Sequence, residues 1–502
     1  MVAKPKILFW LNGFFLHYSL AYYLQSKLHA DFFGIVDINS KPKKFFQEQT
    51  LVNFKKIWFY HDHIKKNQQK PNLDYLMHFE KKYGINLWKL ALNERFFYLH
   101  NRFYKFKKQE ILSILEQEIR LFEDIISEIN PDYLLTYDPV FHHQKLLLDL
   151  CKAKGIHILS TIIASGIENK TIIVEDGATY DLDPHITADS LNDSNSKVDT
   201  SDSYDGVIKN YLKKRNATIM DKLTALIKYT SNFDSELVES NFMYYGKNRF
   251  KVIKDAFSIE LKRIRNYRFL QTVSTSSPEL NAPYVYFPMS IDEEMNLLHY
   301  APYYTNQIEV IRHVAKSIPV DYSLYVKEHI AARLRGWHDS NYYKQIIELP
   351  NVTFVNPQYD NNTLIKNSQL VVTIRGYSSL KAIRYGKPAV VFGEQPLRIM
   401  PSIFTVGSLN DLPELIKMAL KHKVNPSDYQ KYINLLNSRL FEFNMFEYEN
   451  RRDSAFFAGS ILSNVSVSEK DMIEFLDKNK DMFSHLIDAH LKIIHDTTKP
   501  LK

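Results

Sequence analysis

Val371-Val-Thr-Ile-Arg-Gly-Tyr-Ser-Ser379 joins a run of β-branched residues to a glycine and two serines. The four residues from Val371 to Ile374 are typical of a parallel strand that is buried on both faces. Gly376 frees the backbone where that strand ends, and Ser378 and Ser379 are predicted to cap a helix that starts there. Gly386-Lys-Pro388 then ends the helix, and residues 389–392 predict the next strand. The stretch therefore predicts one βαβ unit of an open parallel sheet.

The end of this strand is a predicted anion site, because a helix N-terminus at the carboxyl edge of a sheet offers N–H groups and partial positive charge. Earlier in the chain, Tyr325-Val-Lys-Glu-His329 predicts another strand that ends in cationic side chains. Arginines in the next loop add fixed positive charge. We predict a phosphate site formed by Lys327, His329, Arg333, Arg335, Gly376, Ser378 and Ser379. An ordinary solvated loop accounts for the charged residues as an alternative.

Composition narrows the class of protein. The 502 residues correspond to two large domains or three smaller ones. The net charge of +7 is spread along the chain rather than concentrated in one stripe, so nucleic-acid binding is not expected. Cys151 is the single cysteine, which excludes an intrachain disulfide. No apolar run approaches the roughly 18 residues that span a bilayer, and no signal peptide is evident. We expect a cytoplasmic protein and leave peripheral membrane contact open.

Strands and helices alternate in both halves of the chain. Strands are predicted at residues 7–11, 32–36, 57–60, 133–137, 156–160, 171–175, 284–287, 322–326, 352–355, 370–374, 389–392 and 403–406. Helices are predicted at residues 18–28, 111–129, 145–154, 308–317, 363–367 and 412–420. This alternation predicts an α/β fold of two Rossmann-like doubly wound domains that face each other across a cleft.

The domain boundaries follow from shifts in composition. The first domain is predicted at residues 1–271, with a polar insertion near 185–206. Residues 272–283 are rich in Ser, Thr and Pro and predict an interdomain linker. The second domain is predicted at residues 284–425, and residues 426–502 are predicted to form a C-terminal helical tail.

Residues 284–407 resemble capsule and surface polysaccharide biosynthesis proteins, which are GT-B-type glycosyltransferases. The matching phrases are Tyr284-Val-Tyr-Phe-Pro-Met289, Glu294, Ala301-Pro-Tyr-Tyr-Thr-Asn-Gln307, Tyr325-Val-Lys-Glu-His329, Leu349-Pro-Asn-Val352, Gly376 and Gly386-Lys-Pro388. The resemblance implies transfer of a sugar from a CMP- or UDP-linked donor to a glycan or lipid-linked acceptor, with neither cofactor nor metal. Glu294 resembles the family's Pro-Glu position and is expected to orient the donor or a ribose.

Candidate catalytic residues on the acceptor side are Glu175, Asp176 and His17. Glu175-Asp176-Gly177 resembles the acidic-acidic-glycine motif of bacterial sialyltransferases, in which a carboxylate would act as base toward the acceptor hydroxyl. A plain strand-end turn explains these three residues equally well. His17 lies in the first βα loop, where it would bind acceptor or act as base, although helix capping and packing explain it nearly as well. His142-His143 is not expected to bind a metal, because no further ligand spacing accompanies it.

Three positions depart from the family pattern. Ile330 stands where a proline usually follows the histidine, Ser290 stands where a histidine is common, and Lys381 stands where an acidic residue is usual. A lysine cannot accept the hydrogen bonds that a carboxylate takes from sugar or ribose hydroxyls. Two alternatives therefore stay open: a nucleotide-sugar epimerase of the same architecture, and a non-catalytic carbohydrate-binding or scaffold protein with a degenerate site.

Overall fold

The computed structural model describes residues 4–66, 70–164, 167, 169–175, 224, 227, 238, 240–393, 400–437, 439–457 and 464–497. These residues form two compact units. The first contains the described residues up to position 249 together with those from position 439 onward, and the second contains those between 250 and 437.

Thirteen strands belong to the described residues. In chain order they are β1 Lys6–Leu11, β2 Asp31–Val36, β3 Phe54–Phe59, β4 Tyr133–Tyr137, β5 His157–Ile163, β6 Lys170–Glu175, β7 Tyr284–Pro288, β8 Ser323–Lys327, β9 Val352–Val355, β10 Leu370–Thr373, β11 Ala389–Val391, β12 Ile403–Thr405 and β13 Leu440–Glu442.

Helices connect these strands and cover the sheets. The α-helices of the described residues are Leu16–Leu24, Lys43–Glu48, Tyr60–His63, Leu73–Tyr83, Leu87–Leu92, Lys108–Ile129, His142–Ala153, Arg249–Val273, Met295–Leu298, Gln307–Ser317, Ser340–Ile347, Asn361–Asn367, Tyr377–Arg384, Leu412–Lys421, Pro426–Asn437, Met445–Phe456 and Glu469–Thr497. Short polar side chains begin several of them: Asp360 accepts a hydrogen bond from the Thr363 amide at 2.7 Å. None of these helices is both long and apolar enough to cross a bilayer.

The sheet of the first unit has seven strands in the order β13-β6-β5-β4-β1-β2-β3. The five strands β3-β2-β1-β4-β5 are parallel, whereas β6 is antiparallel to β5 and β13 is antiparallel to β6. Five of the six residues of β1 are buried, as expected for a strand covered on both faces. One hydrophobic cluster involves helices Lys108–Ile129 and His142–Ala153, and another involves Leu16–Leu24 and Glu469–Thr497.

The sheet of the second unit has six parallel strands in the order β9-β8-β7-β10-β11-β12. This is the doubly wound order 3-2-1-4-5-6, in which the direction of winding reverses between the first and the fourth strand. The reversal here lies between β7 and β10. The two doubly wound sheets confirm the predicted α/β, Rossmann-like fold class.

The division of the chain differs from the predicted one. The predicted linker begins inside helix Arg249–Val273, and Thr275 extends the edge of the second sheet by donating to Phe354 O at 2.9 Å and accepting from the Asn356 amide at 2.9 Å. The predicted tail is not wholly helical, because β13 pairs with β6 and completes the first sheet. The polar insertion predicted near residues 185–206 lies outside the described residues.

Candidate functional site

The carboxyl edge of the second sheet is the candidate site, because doubly wound sheets bind ligands where the winding reverses. The loop after β7 covers residues 289–294, and the turn after β10 covers residues 374–376. Both begin at strand ends that flank the reversal point. The side chains and backbone amides of these two segments are therefore the first candidates for ligand contacts.

Gly376 forms the turn between β10 and helix Tyr377–Arg384. Its φ of 152° and ψ of 171° lie in a region that only glycine adopts without strain, and a Cβ placed there would meet no atom within 4 Å. Backbone conformation rather than space therefore requires glycine here. The turn predicted from sequence is present.

The predicted serine cap of this helix is wrong. Ser379 is fully buried, and its Oγ donates to Gly376 O at 2.8 Å, so the hydroxyl closes the first helical turn. Ser378 is half-buried, and no side chain caps the helix. The helix start therefore offers backbone amides rather than serine caps.

Two buried cations flank the glycine turn. Arg375 is 8% exposed, donates through Nη1 to Asn296 Oδ1, and holds its guanidinium 4.1 Å from the centre of the Tyr300 ring. Lys381 is 5% exposed, and its Nζ donates to Asn362 Oδ1 at 3.1 Å. Positive charge and helix amides thus concentrate at the end of β10.

Lys327 does not join this turn. Its ammonium group is buried and donates to Pro357 O at 3.1 Å, in the loop that follows β9. In the sheet order β10-β7-β8-β9, β7 separates Lys327 from β10. The structure therefore does not bring Lys327 and Gly376 into one phosphate site, because the lysine ammonium group bonds the loop after β9, on the side away from β10.

His329 begins the 3-10 helix Ile330–Arg335 and is neutral. Its Nδ1 accepts from the Ala331 amide at 3.2 Å, and burial lowers its pKa below the usual value. A neutral ring that accepts at Nδ1 carries its proton on Nε2, so His329 can act as a hydrogen-bond donor there but adds no charge.

The two arginines predicted for the phosphate site are partly engaged with other residues. Arg335 forms an ion pair with Glu293 of the loop after β7, and its side chain remains 37% exposed. Arg333 is half-buried on the same 3-10 helix. Glu294 is half-buried and occupies the N-cap position of helix Met295–Leu298. These three predicted residues lie on loops at the same sheet edge as Gly376, with part of their charge already compensated.

A carboxylate–histidine–carboxylate bridge joins the loops after β7 and β8. His338 Nδ1 lies 2.6 Å from Glu328 Oε2, and His338 Nε2 lies 2.7 Å from Asp292 Oδ2. Glu328 also accepts from the Tyr343 hydroxyl at 3.0 Å, and the His338 ring stacks on Tyr342 at 3.9 Å. The bridge fixes the position of Asp292, which also accepts from the amide of a neighbouring glutamine.

The histidine of this bridge is charged at neutral pH. Burial alone would lower the pKa of His338, but the charge of Glu328 and hydrogen bonds to Asp292 and Glu328 outweigh burial and raise the pKa from 6.5 to about 10. A permanently protonated imidazole cannot serve as a general base. His338 therefore holds the two loops in position.

The two described candidate catalytic residues of the first unit, His17 and Glu175, lie at different places on its sheet. His17 is 1% exposed on helix Leu16–Leu24, and burial together with the charge of His490 lowers its pKa to about 3. Glu175 is exposed at the end of antiparallel β6, where it pairs with Leu159 and is level with Leu135 in the middle of β4. Glu175 is therefore away from the carboxyl edge, whereas His17 lies in the first turn of the helix after β1, with its ring 4.0 Å from the ring of Tyr137 at the end of β4. Asp176 lies outside the described residues.

The carboxyl edge of the first sheet also carries a buried polar network. His142 bridges two glutamates, with Nδ1 2.9 Å from Glu94 Oε2 and Nε2 3.0 Å from Glu118 Oε1. The Tyr60 hydroxyl donates to Glu118 as well. Burial alone would lower the pKa of His142, but the charge of Glu118 and hydrogen bonds to both glutamates raise it to about 10.

Asp37 organises a neighbouring pair of histidines. Its two carboxylate oxygens lie 3.0 Å from His61 Nε2 and 3.2 Å from His143 Nε2. Ligand atoms of Glu118, His142 and His143 lie within 4.8 Å of one another, which makes this the one candidate metal-ligand group among the described residues. Each of the three side chains already has a hydrogen-bonding partner, and the absence of a metal expected from sequence stays untested.

Sequence reasoning missed Arg375, Asp292, Glu328 and His338. Arg375 and Glu328 stand inside the quoted stretches, each beside a residue that was predicted. Their position directly after a buried strand was the available signal. His338 lies ten residues beyond Glu328, and nothing in its local sequence indicates that it folds back onto that residue.

Comparisons with known proteins give one family. Residues 210–399 match the family model described as capsule polysaccharide biosynthesis protein. No curated protein matches the chain at a significant level.

Solved structures align with this chain at low similarity. The UDP-GlcNAc 2-epimerase of Methanocaldococcus jannaschii is 13% identical over 86% of this chain and 99% of its own, with a TM-score of 0.25. The KpsC beta Kdo 2,7 transferase of Thermosulfurimonas dismutans is 12% identical over 62% of this chain and 79% of its own, with a TM-score of 0.31. An alpha,alpha-trehalose-phosphate synthase from Burkholderia vietnamiensis is 9% identical over 91% of this chain and 99% of its own, with a TM-score of 0.29.

Likeness at this level carries no argument about activity. The family match is different in kind, because it covers β7 to β11 and includes the glycine turn, Arg375 and the bridging histidine. Residues 210–399 of this chain are therefore similar to capsule polysaccharide biosynthesis proteins, which confirms the resemblance seen in the sequence.

Proposed function

We propose that the protein is a glycosyltransferase of capsule or surface polysaccharide biosynthesis. It binds a nucleotide-sugar donor at the carboxyl edge of the second sheet and transfers the sugar to a glycan or lipid-linked acceptor. The observation that carries this proposal is the group formed by Arg375, Gly376 and the start of helix Tyr377–Arg384 at the winding reversal of a family-matched sheet.

The chemistry of the donor explains why such a group is useful. The departing nucleotide carries a phosphate or diphosphate whose negative charge grows as the bond to the sugar breaks. Amides at a helix start and a guanidinium held in one orientation stabilise that charge without reorganising. Arg375 is held by Asn296 and by the Tyr300 ring, so its position is set before the donor arrives. His329 Nε2–H supplies a neutral donor from the end of β8.

Carboxylates at the same edge suit the hydroxyl-bearing parts of the donor. Glu294 follows β7, and its half-buried carboxylate is assigned to the ribose or sugar hydroxyls. Lys381 occupies the position where the family has an acidic residue, and its ammonium group is directed to Asn362. The buried amine adds positive charge beside the phosphate group rather than a hydroxyl acceptor. We propose no cofactor or metal in donor binding.

On the acceptor side we assign the base to a carboxylate at the winding reversal of the first sheet, between β1 and β4. Asp138 directly follows β4 and is half-buried, so it meets this geometric requirement better than Glu175 and is more accessible than His17, which is 1% exposed. Asp176 remains a second candidate on the resemblance of Glu175-Asp176-Gly177 alone.

Nucleotide binding is the first test. The full chain is titrated with CMP, UDP and their sugar conjugates by calorimetry, with a thermal-shift screen beside it. A bound nucleotide raises the unfolding temperature because it binds only the native state. Arg375→Met should weaken the Kd roughly 10- to 100-fold, as expected for loss of a charge-assisted contact to phosphate. Arg312→Met, at an exposed ion pair of the same unit, is the matched control.

Product analysis with a labelled donor then separates the alternatives. Release of nucleotide that depends on added acceptor, with label recovered in the glycan, supports the transferase. Isomerised sugar formed without acceptor identifies an epimerase instead. Absence of binding by every nucleotide tested, in a folded protein, would contradict the transferase and would support a non-catalytic carbohydrate-binding or scaffold role.

A further inference from the structure

Helix Arg249–Val273 has apolar residues on two faces, and the second unit buries only one of them. On the inner face, Asn266 and Leu270 are 2% and 0% exposed, and Ile259 contacts the chain at Gly336. The Asn266 amide donates to Gly336 O at 3.1 Å. This face anchors the helix to the unit.

The outer face exposes large apolar side chains. Phe250 is 83% exposed, Phe257 57%, Leu261 69% and Ile264 49%. At 3.6 residues per turn, these four positions fall within an arc of about 60°. They form one continuous stripe, which we call the outer stripe. A single exposed leucine needs no explanation, but four aligned large residues on one helix indicate an interaction surface.

Positive charge borders the outer stripe. The segment from Lys247 to Arg268 contains the basic residues Lys247, Arg249, Lys251, Lys254, Lys262, Arg263, Arg265 and Arg268 and the acidic residues Asp255 and Glu260. Lys254 and Arg265 are exposed and lie about 40° and 60° around the helix from Phe250, next to the stripe. Lys251 and Lys262 are exposed further around on that side.

The charge decides which occupant fits. Two copies of this helix placed stripe to stripe would bring two basic borders together, which like-charge repulsion disfavours. An anionic lipid surface complements both features, because its headgroups attract Lys and Arg while the acyl boundary accepts Phe, Leu and Ile. A free acidic glycan would satisfy the cations alone and would leave the apolar stripe in water.

We propose that helix Arg249–Val273 lies on an anionic membrane surface, with the outer stripe inserted at the level of the headgroups and with Lys254 and Arg265 at the phosphates. The outer stripe lies on the opposite side of the helix from Asn266, which packs against Gly336. The inference does not depend on the proposed transferase activity.

The test is co-sedimentation of the full chain with vesicles. Phosphatidylcholine vesicles are compared with vesicles that also contain phosphatidylglycerol, at low and high salt. We expect binding to the anionic vesicles only, and weaker binding as salt screens the charges. The variants Phe257→Ser/Leu261→Ser and Lys254→Glu/Arg265→Glu should each lower the partition coefficient at least about 10-fold.

Matched controls distinguish binding by this surface from non-specific binding to vesicles. Leu73 and Met77 are 51% and 59% exposed, with the same four-residue spacing on helix Leu73–Tyr83 of the first unit. Leu73→Ser/Met77→Ser should leave vesicle binding unchanged. All of these positions are exposed, so the urea midpoint should stay within error and exclude misfolding as the cause.

Three results would overturn the proposal. The first is no binding to anionic vesicles, and the second is binding that both outer-stripe variants retain in full. The third is a dimer, detected by light scattering, that Phe257→Ser/Leu261→Ser dissociates, since this would assign the stripe to a second copy of the chain.

Discussion

Replacing His338 by glutamine tests the bridge between the loops after β7 and β8. The substitution keeps a polar side chain of similar length but removes the positive charge between Asp292 and Glu328. Glu328 is fully buried, so its carboxylate is then left without a cation. Its bonds to the His329 amide at 2.8 Å and to the Tyr343 hydroxyl at 3.0 Å remain and limit the loss.

The magnitude follows from the pKa of His338. A rise from 6.5 to about 10 corresponds to an upper bound of roughly 4–5 kcal/mol, at about 1.36 kcal/mol per pKa unit. The surviving bonds of Glu328 and the 21% exposure of the His338 side chain reduce this value. We therefore expect His338→Gln to lower the free energy of unfolding by about 3 kcal/mol at neutral pH, in the range for a broken buried ion pair.

The pH dependence gives the sign of the effect. Because the folded-state pKa is raised, the stabilisation by His338 is fully present below about pH 6.5 and is lost as the pH rises through about 10. The difference between the natural protein and His338→Gln should therefore be largest below pH 6.5 and should shrink toward pH 10.

Urea unfolding followed by circular dichroism and tryptophan fluorescence measures both effects. Trp337 is adjacent to His338 and is the only tryptophan between residues 250 and 438, so its emission reports the second unit. His313→Gln, at a half-buried histidine of the same unit, serves as control. A change below 1 kcal/mol at neutral pH, or a difference that stays constant up to pH 10, would refute the charged bridge.

Three further predictions concern single residues. Arg375→Met should weaken nucleotide binding roughly 10- to 100-fold by calorimetry, and an equal loss in Arg312→Met would exclude a specific phosphate contact. His142→Gln removes the cation between two buried glutamates and should cost about 3–5 kcal/mol in urea unfolding; a cost under 1 kcal/mol would show that the network is not ionic. Gly376→Ala should cost about 1–3 kcal/mol through backbone strain alone, whereas Gly407→Ala, where a Cβ also meets open space but φ is not positive, should change stability little; equal effects would contradict the argument.

Strand and helix alternation was predictable because buried parallel strands are marked by dense apolar runs. Residues 133–137 and 352–355 match the observed strands to the residue. The start of β3 was missed because Phe54-Lys-Lys alternates poorly, and Tyr60 was assigned to that strand although it begins the next helix. Local pattern finds the centre of an element better than its ends.

The candidate site was less predictable, because its geometry depends on which neighbouring residue each side chain contacts. Lys327 stands at a strand end, as predicted, yet it bonds the loop after β9 rather than the turn after β10. Glu175 ends a strand, but antiparallel pairing with β5 places it away from the carboxyl edge. His338 joins Glu328 only after the chain folds back. The sequence identifies which functional groups stand at a strand end. Strand order and strand direction determine which residues those groups contact.

The pairing of β13 with β6 has a consequence for synthesis on the ribosome. Residues 440–442 add the last strand to a sheet whose other strands are made within the first 175 residues, and Thr171 Oγ1 donates to Phe443 O at 2.7 Å to hold it in place. Until that segment has left the ribosome, the edge of β6 stays unpaired. The sheet face that helix Glu469–Thr497 later covers stays exposed to water. The second unit, which is contiguous among the described residues apart from positions 394–399, can finish folding first, so the nascent chain is expected to mature from its middle outward.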